Sequence, residues 1–350
     1  MGLHLRWDGV WQRPNHVLSR LRSRAEVIVV EEELVGDADV THVLDRGGLI
    51  VVTPQRRRPH PGVDGRTVDE VRRLVRGRPA LLWLYSPLMI DLASAVPTAR
   101  LVYDKMDELA SFKGADPALV ECEDRLCARA DFVFAGGRTL WDSVKDRVRA
   151  GEAVPSGVDV AHYAAFDGQS GLSELGDCPV FGYIGVLDER LDLQLIAAIA
   201  RARFDATFVL VGPVAKIDPA SLPRAANIRY YDKRPYADLP AIVARFDVAI
   251  MPFARNEATR SISPTKTLEY LAARRPVVST AIADVVADFG DVVYVAHDAS
   301  GFVAALAIAQ QGDAERRELG FKRATAMTWD SIVDRMVAAL ERAGVIASRR

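Results

Sequence analysis

Lys266 and Glu269 stand one helical turn apart in the stretch Ser263-Pro264-Thr265-Lys266-Thr267-Leu268-Glu269-Tyr270. That spacing puts a cation and a carboxylate on one face. Ser263 reads as an N-cap and Pro264 as the first helical residue, where its missing N–H costs nothing. Such a helix presents free amides and the positive end of its dipole, which together favour an anion. A cation at that terminus with a carboxylate slightly deeper suits a phosphate followed by a ribose diol. The same residues also read as a solvated ion pair behind an ordinary cap. Pro276 ends the helix, and Val277–Thr280 reads as a buried strand.

Other residues could carry chemistry from strand ends. Asp104 closes the expected strand Leu101–Asp104 at its carboxyl edge, where open parallel sheets bind ligands, and Asp107 follows. The two carboxylates could position hydroxyls or only cap a turn. Gln12, Arg13 and His16 open the first helix, where a histidine can equally be structural. Gly136-Gly137 permits close backbone approach and Arg138 could meet a phosphate, although Gly-Gly is also plain turn chemistry. Arg190 lies in the loop after Gly185 and could face a phosphate, or pair with Asp188 or Asp192. No His/Cys/Asp cluster has metal-ligand spacing, and Asp37-Ala38-Asp39 lies in a polar, surface-like stretch, so no metal is expected. A serine nucleophile elbow and a phosphate loop are likewise missing.

Several segments resemble the retaining, group-4-like branch of GT-B glycosyltransferases, the glycosyl transferases group 1. Trp7-Asp8-Gly9-Val10-Trp11-Gln12-Arg13-Pro14-Asn15-His16 is similar to that group's entry motif. Val102-Tyr103-Asp104-Lys105-Met106-Asp107-Glu108 resembles its V-Y-D-x-x-D-D/E segment, and Pro155-Ser156-Gly157-Val158-Asp159 its crossing between domains. Gly182-Tyr183-Ile184-Gly185 matches the strand opening the second domain, and the helix after Ser263 its donor-binding helix.

The resemblance implies two Rossmann-like α/β domains facing each other across a cleft. It implies that Glu269 holds a nucleotide ribose, that Ser263, Thr265, Lys266, Arg190 and Gly185 surround the diphosphate, and that Arg234 in the loop 232–236 lies at the base. Asp104 stands about where relatives keep a residue near the transferred sugar, so Asp104, Arg190 and Lys266 are the catalytic candidates. Arg13, His16, Asp107 and Arg138 are the acceptor-side candidates. The implied reaction is sugar transfer from a nucleotide diphosphate sugar to a hydroxyl of a small molecule or glycan, with retention and without metal or other cofactor. A catalytically inactive nucleotide-sugar sensor or subunit is one alternative, and a GT-B-fold epimerase another.

The chain departs from the group at several points. Val186 and Leu191 stand where an arginine and a lysine would clamp the diphosphate, which moves that role to Arg190 and Lys266 with Arg260 in reserve. The first of two donor glutamates is replaced by Ser261, leaving Glu257 as a substitute. Arg274 replaces a glycine at the helix end. Only Met1–Leu5 precede Arg6, so the central first strand is expected to be truncated or replaced.

Composition fits this frame. The 350 residues suit two domains, and 49% hydrophobic with 26% charged residues is ordinary for a soluble chain. A net charge of −2 argues against a general nucleic-acid binder. No apolar run is long enough to span a bilayer and no leader precedes Trp7, which points to the cytoplasm. Cys122, Cys127 and Cys178 are too scattered for a disulfide framework. Arg56-Arg57-Arg58 with Arg72, Arg73, Arg76 and Arg78 forms a basic region, either a solvated face or a contact for an anionic membrane.

Short apolar strands alternate with helices, the pattern of parallel α/β sheets. Residues 1–163 are expected to form the first domain, 164–178 a linker and 179–328 the donor domain. The last segment, 329–350, carries a helical stripe of Trp329, Ile332, Val333, Met336, Val337 and Leu340, suited to packing back on the first domain or within the second.

Overall fold

Continuous apolar runs such as Val180–Ile184 and Phe132–Ala135 form strands buried on both faces, as parallel sheets covered by helices require. The computed structural model of the chain describes residues 1–3, 6–164, 172, 175 and 178–348. It divides into two units, Met1–Pro155 with Trp329–Arg350, and Ser156–Thr328. The expected boundary at residue 163 is therefore displaced to Pro155–Ser156. The helix Val160–Ala164 packs on Thr265–Ala272 and belongs to the second unit. Of the expected linker, residues 165–171, 173–174 and 176–177 lie outside the described residues.

In the first unit the strand order is Leu34–Val35, Leu49–Arg56, Val27–Glu31, Gly2–Leu3, Leu81–Leu84, Arg100–Lys105, Phe132–Ala135 and Gly151–Ala153. All are parallel except Val40–Asp45, which adds an antiparallel hairpin to Leu49–Arg56. The central first strand is present but short. Gly2 is in register with Val30 on one side and Leu84 on the other. Met1 C=O accepts from Val30 N–H at 2.7 Å, and Gly2 C=O from Tyr85 N–H at 2.9 Å. A side chain on Gly2 would meet Met89 and Leu84 within 3 Å, so the strand passes only as glycine.

Helix Trp329–Arg342 buries Trp329, Ile332, Val333, Met336, Ala339 and Leu340 in this unit and lies against Arg13–Leu21.

The second unit is a six-stranded parallel sheet in the order Ile228–Tyr231, Thr207–Val211, Val180–Ile184, Val248–Met251, Val277–Thr280 and Tyr294–Ala296. Order reverses beside Val180–Ile184, the place where such sheets open a crevice at their carboxyl ends. Gly185 and Gly212 end two adjacent strands there, with φ of +153° and +149°. A Cβ on Gly212 would lie 1.8 Å from the Gly185 carbonyl oxygen, so the two backbones approach as closely as glycine allows. Arg274 does take a left-handed conformation, φ +54°, and its guanidinium lies 3.7 Å over the Phe321 ring.

Candidate nucleotide-binding site

The helix expected to bind the donor begins at Thr265, one residue later than the sequence suggests. Pro264 has ψ 113° and sits at the cap, its carbonyl accepting from Thr267 N–H at 3.2 Å. Ser263 therefore does not cap the helix, and no side chain does. Lys266 and Glu269 fall on one face as expected. Lys266 Nζ lies 3.0 Å from Glu269 Oε2 and 3.4 Å from Oε1. Glu269 is only 7% exposed, while Lys266 keeps an outer edge in solvent. A carboxylate so buried is costly unless it is paired, and Lys266 supplies the pairing charge.

Tyr163 lies beside this carboxylate and packs with two further aromatic side chains of the same unit. His162 and Tyr236 stack at 4.2 Å with planes 11° apart, and His162 Nε2 lies 3.0 Å from the Tyr236 carbonyl oxygen. Tyr163 meets both edge-on, at 5.0 Å and 6.3 Å. Its phenol is buried beside Glu269, and both burial and that carboxylate push its pKa well above the ordinary tyrosine value. Tyr236 belongs to the loop expected to face a base. Arg234 in that loop is exposed, 6.0 Å from the Tyr231 ring.

The loop after Gly185 is tied to the loop before the donor helix. Asp192 N–H donates to Pro252 C=O at 2.9 Å, Ala254 N–H to Arg190 C=O at 2.8 Å, and Asn256 Nδ2 to Glu189 C=O at 2.9 Å. Arg190 itself is held by Asp188, through Nη2 to Oδ2 at 2.7 Å and Nε to Oδ1 at 3.0 Å. Its charge is thus paired within the loop, the plainer of its two readings. The substitutes proposed for missing charges pair with each other, Arg260 Nη2 donating to Glu257 at 2.6 Å in an exposed contact.

In the first unit the expected catalytic and acceptor residues do something else. Arg13 Nε lies 3.0 Å from Asp104 Oδ1 and 3.2 Å from Oδ2, and its Nη1 donates to Val154 C=O at 2.8 Å. The two side chains are 2% and 0% exposed. Burial raises the Asp104 pKa despite the guanidinium, with the Tyr85 and Trp83 side chains near. Asp104 and Arg13 are a buried ion pair joining a helix to a strand end, which gives both a structural role. His16 is buried, stacked on Trp329 at 4.6 Å, and takes Trp11 Nε1–H on Nδ1 at 3.3 Å, the structural of its two readings. Asp107 stays half-buried in the loop after Arg100–Lys105, and Arg138 is exposed at the start of the helix Arg138–Val144. Gly136 passes 3.3 Å from Met106 Cα at its Cβ position, which explains the glycine by packing.

The basic region is largely neutralised. Arg56 is buried against Asp64, while Arg72, Arg73 and Arg78 pair with Asp69, Glu70 and Glu26. Among the described residues no cluster of His, Cys, Asp and Glu could hold a metal, and no helix is long and apolar enough to cross a membrane.

Sequence reading missed Gly212 and Tyr163. A glycine directly after the apolar run Thr207–Val211 was the available signal for the first; nothing local marked the second.

Residues 178–310 match the family model described as Glycosyl transferases group 1. The Bacillus subtilis (strain 168) protein TuaH, named for teichuronic acid biosynthesis and glycosyltransfer, is 27% identical over 229 residues, 58% of this chain and 56% of that protein. The chain thus spans little more than half the length of that curated relative. Among solved structures, alpha,alpha-trehalose 6-phosphate synthase from Burkholderia multivorans is similar with TM-score 0.68 and 15% identity, covering 99% of this chain and 98% of the other. The E. coli trehalose-6-phosphate structure bound with UDP-2-fluoro glucose gives TM-score 0.72 at 12% identity, covering 99% of each chain. Sucrose-phosphate synthase from Thermosynechococcus elongatus gives 0.70 at 15%, covering 95% and 92%. The chain therefore has the GT-B fold of two Rossmann-like α/β units, and its residues 178–310 are similar to the glycosyl transferases group 1.

Proposed function

We propose that the chain transfers a sugar from a nucleoside diphosphate sugar to an acceptor hydroxyl, with retention and without a metal. The carrying observation is Glu269: a nearly buried carboxylate, one turn inside an uncapped helix start and ion-paired with Lys266. Ribose hydroxyls would donate to Glu269, and the diphosphate would then reach Lys266 and the amides of Thr265 and Lys266. The base would lie toward Tyr236 and Arg234.

In the transfer, the bond between the anomeric carbon and the phosphate oxygen breaks, and a bond to the acceptor oxygen forms on the same face. The acceptor proton passes to the leaving phosphate oxygen, so no carboxylate nucleophile is required. Lys266 and the helix amides stabilise the phosphate charge as it develops. The acceptor is a sugar or sugar-phosphate hydroxyl in this reading, supported by the sugar-phosphate synthases that share the fold. The protein works in the cytoplasm, where nucleotide sugars are available.

Capture of Arg190 by Asp188, with Val186, Leu191 and Ser261 in place of charged residues, favours a second reading, a donor-binding protein without turnover. Incubation with UDP-glucose, GDP-mannose and dTDP-glucose separates the two. Slow nucleoside diphosphate release from one of them, lost in Lys266→Ala, supports transfer. Binding without release from any, with glucose 6-phosphate and glucose as trial acceptors, supports the second.

A further inference from the structure

We propose that the first unit carries an anion site of its own, a pocket in which Arg57, Arg58, His60 and Arg66 take a phosphate group. Glu269 belongs to the other unit, so this site stands or falls independently of the ribose reading. The run Arg56-Arg57-Arg58 ends the strand Leu49–Arg56 and opens the loop to the helix Gly65–Val75. Beyond the carboxyl end of that strand, these four residues with Arg56, Glu33, Asp39 and Asp64 line a cavity of about 460 Å³. Cavities of that size hold small molecules. The pocket is two strands, about 10 Å, from Gly2–Leu3, beside which the strand order of this sheet reverses.

Four guanidinium groups face three carboxylates in this lining. The carboxylates are engaged in building the loop. Glu33 accepts from His60 N–H at 2.6 Å and from Asp64 N–H at 3.1 Å. Asp64 accepts from Thr67 N–H at 2.9 Å and pairs with the buried Arg56 at 2.7 Å. Asp39, the one fully exposed carboxylate, accepts from Arg57 N–H at 2.8 Å.

The exposed cations are less engaged. Arg57 donates from Nε to Asp37 C=O at 2.8 Å, which leaves its Nη groups available. Among the described residues, Arg58 has neither a hydrogen bond nor an ion pair, and Arg66 has only an exposed contact with Asp39 at 3.4 Å. Such exposed pairs are worth little, so Arg66 turns to an incoming anion at small cost. A phosphate monoester brings nearly two charges near neutral pH and accepts from several guanidinium groups at once. A sugar phosphate and a lipid headgroup both supply that group.

The test is calorimetric titration of the intact chain with inorganic phosphate, glucose 6-phosphate and glucose, alongside cosedimentation with phosphatidylcholine vesicles with and without phosphatidic acid. The phosphate compounds should bind and glucose should not. Arg58→Ala/Arg66→Ala, both at exposed positions, should lose tenfold or more of that affinity with an unchanged melting temperature, roughly the value of one charge-assisted contact. Asp39→Asn keeps the acceptor for Arg57 N–H and should tighten binding about threefold by removing a like charge. Glu269→Ala should leave it unchanged. Glucose 6-phosphate binding above inorganic phosphate assigns the group to a sugar phosphate. Cosedimentation only with phosphatidic acid, lost in Arg58→Ala/Arg66→Ala, assigns it to a lipid headgroup. Absence of binding to every phosphate probe, or undiminished binding in Arg58→Ala/Arg66→Ala, overturns the proposal. Loss in Glu269→Ala with none in the arginine variant places the anion at the helix Thr265–Ala272 and overturns it as well.

Discussion

The Arg190 guanidinium lies against the Asp188 carboxylate, 2.7 Å from Nη2 to Oδ2, and Asp188 is only 3% exposed. An anion arriving at this loop would have to compete with a fixed carboxylate that also accepts from Arg190 N–H at 3.0 Å. Lys266 has a partner too, but Glu269 is expected to turn to the ribose when a nucleotide binds. The two cations should therefore differ. Lys266→Ala should weaken nucleoside diphosphate binding tenfold or more, roughly the value of one charge-assisted contact. Arg190→Ala should change it by less than about threefold, within the range of a pair already satisfied. Equal losses would show that Arg190 leaves Asp188 for the phosphate.

Arg13 and Asp104 predict a different signature, one of stability. Leaving one buried charge alone should cost about 3–5 kcal/mol, whereas replacing both by apolar residues should cost less than either single change. Thermal melts of Asp104→Ala, Arg13→Met and the double variant Arg13→Met/Asp104→Leu check this.

The same pair has a pH dependence with a definite sign. Burial raises the Asp104 pKa in the folded chain. A raised carboxylate contributes stability that is greatest below the unfolded value, near 4, and lost as pH rises through the folded value. Against Asp104→Asn, which cannot titrate, wild type should gain relative stability between pH 7 and pH 4. A relative loss over that window would mean that Arg13 outweighs burial.

Gly212 is held by backbone alone. Gly212→Ala would put a methyl 1.8 Å from the Gly185 oxygen at φ +149°, with backbone strain and overlap each worth about 1–3 kcal/mol. The expected outcome is a lowered melting temperature together with weakened nucleotide binding, because the shift falls on Gly185, a candidate diphosphate contact.

His16 should behave as a packing residue. His16→Ala removes the stack on Trp329 and should lower stability by about 1 kcal/mol or more, with nucleotide affinity unchanged. A selective loss of turnover at unchanged stability would return His16 to the acceptor side.

These contrasts show what the sequence made legible. The strands Phe132–Ala135, Val180–Ile184, Thr207–Val211 and Val277–Thr280 fall where apolar runs place them, because burial on both faces leaves an uninterrupted signal. The hairpin Val40–Asp45 was not visible, since its residues are mostly exposed and read as polar loop. Gly2–Leu3 escaped for another reason: a two-residue strand is fixed by neighbouring backbones, not by its own pattern. In the site, Lys266 and Glu269 were legible because helix periodicity is local. Arg13 and Asp104, 91 residues apart, were read as two separate ligand contacts because only the fold makes them partners. Ser263 failed as a cap because Pro264 keeps an extended ψ and delays the helix by one residue.

The most direct test of a nucleotide site on Glu269 is calorimetric titration of the intact chain with UDP, GDP and dTDP, without added metal, alongside Glu269→Ala. One diphosphate should bind clearly tighter than the others, and Glu269→Ala should lose about tenfold or more of that affinity with its fold intact by circular dichroism. Binding of none of the three, or undiminished affinity in Glu269→Ala, would contradict the assignment of this helix as the donor site.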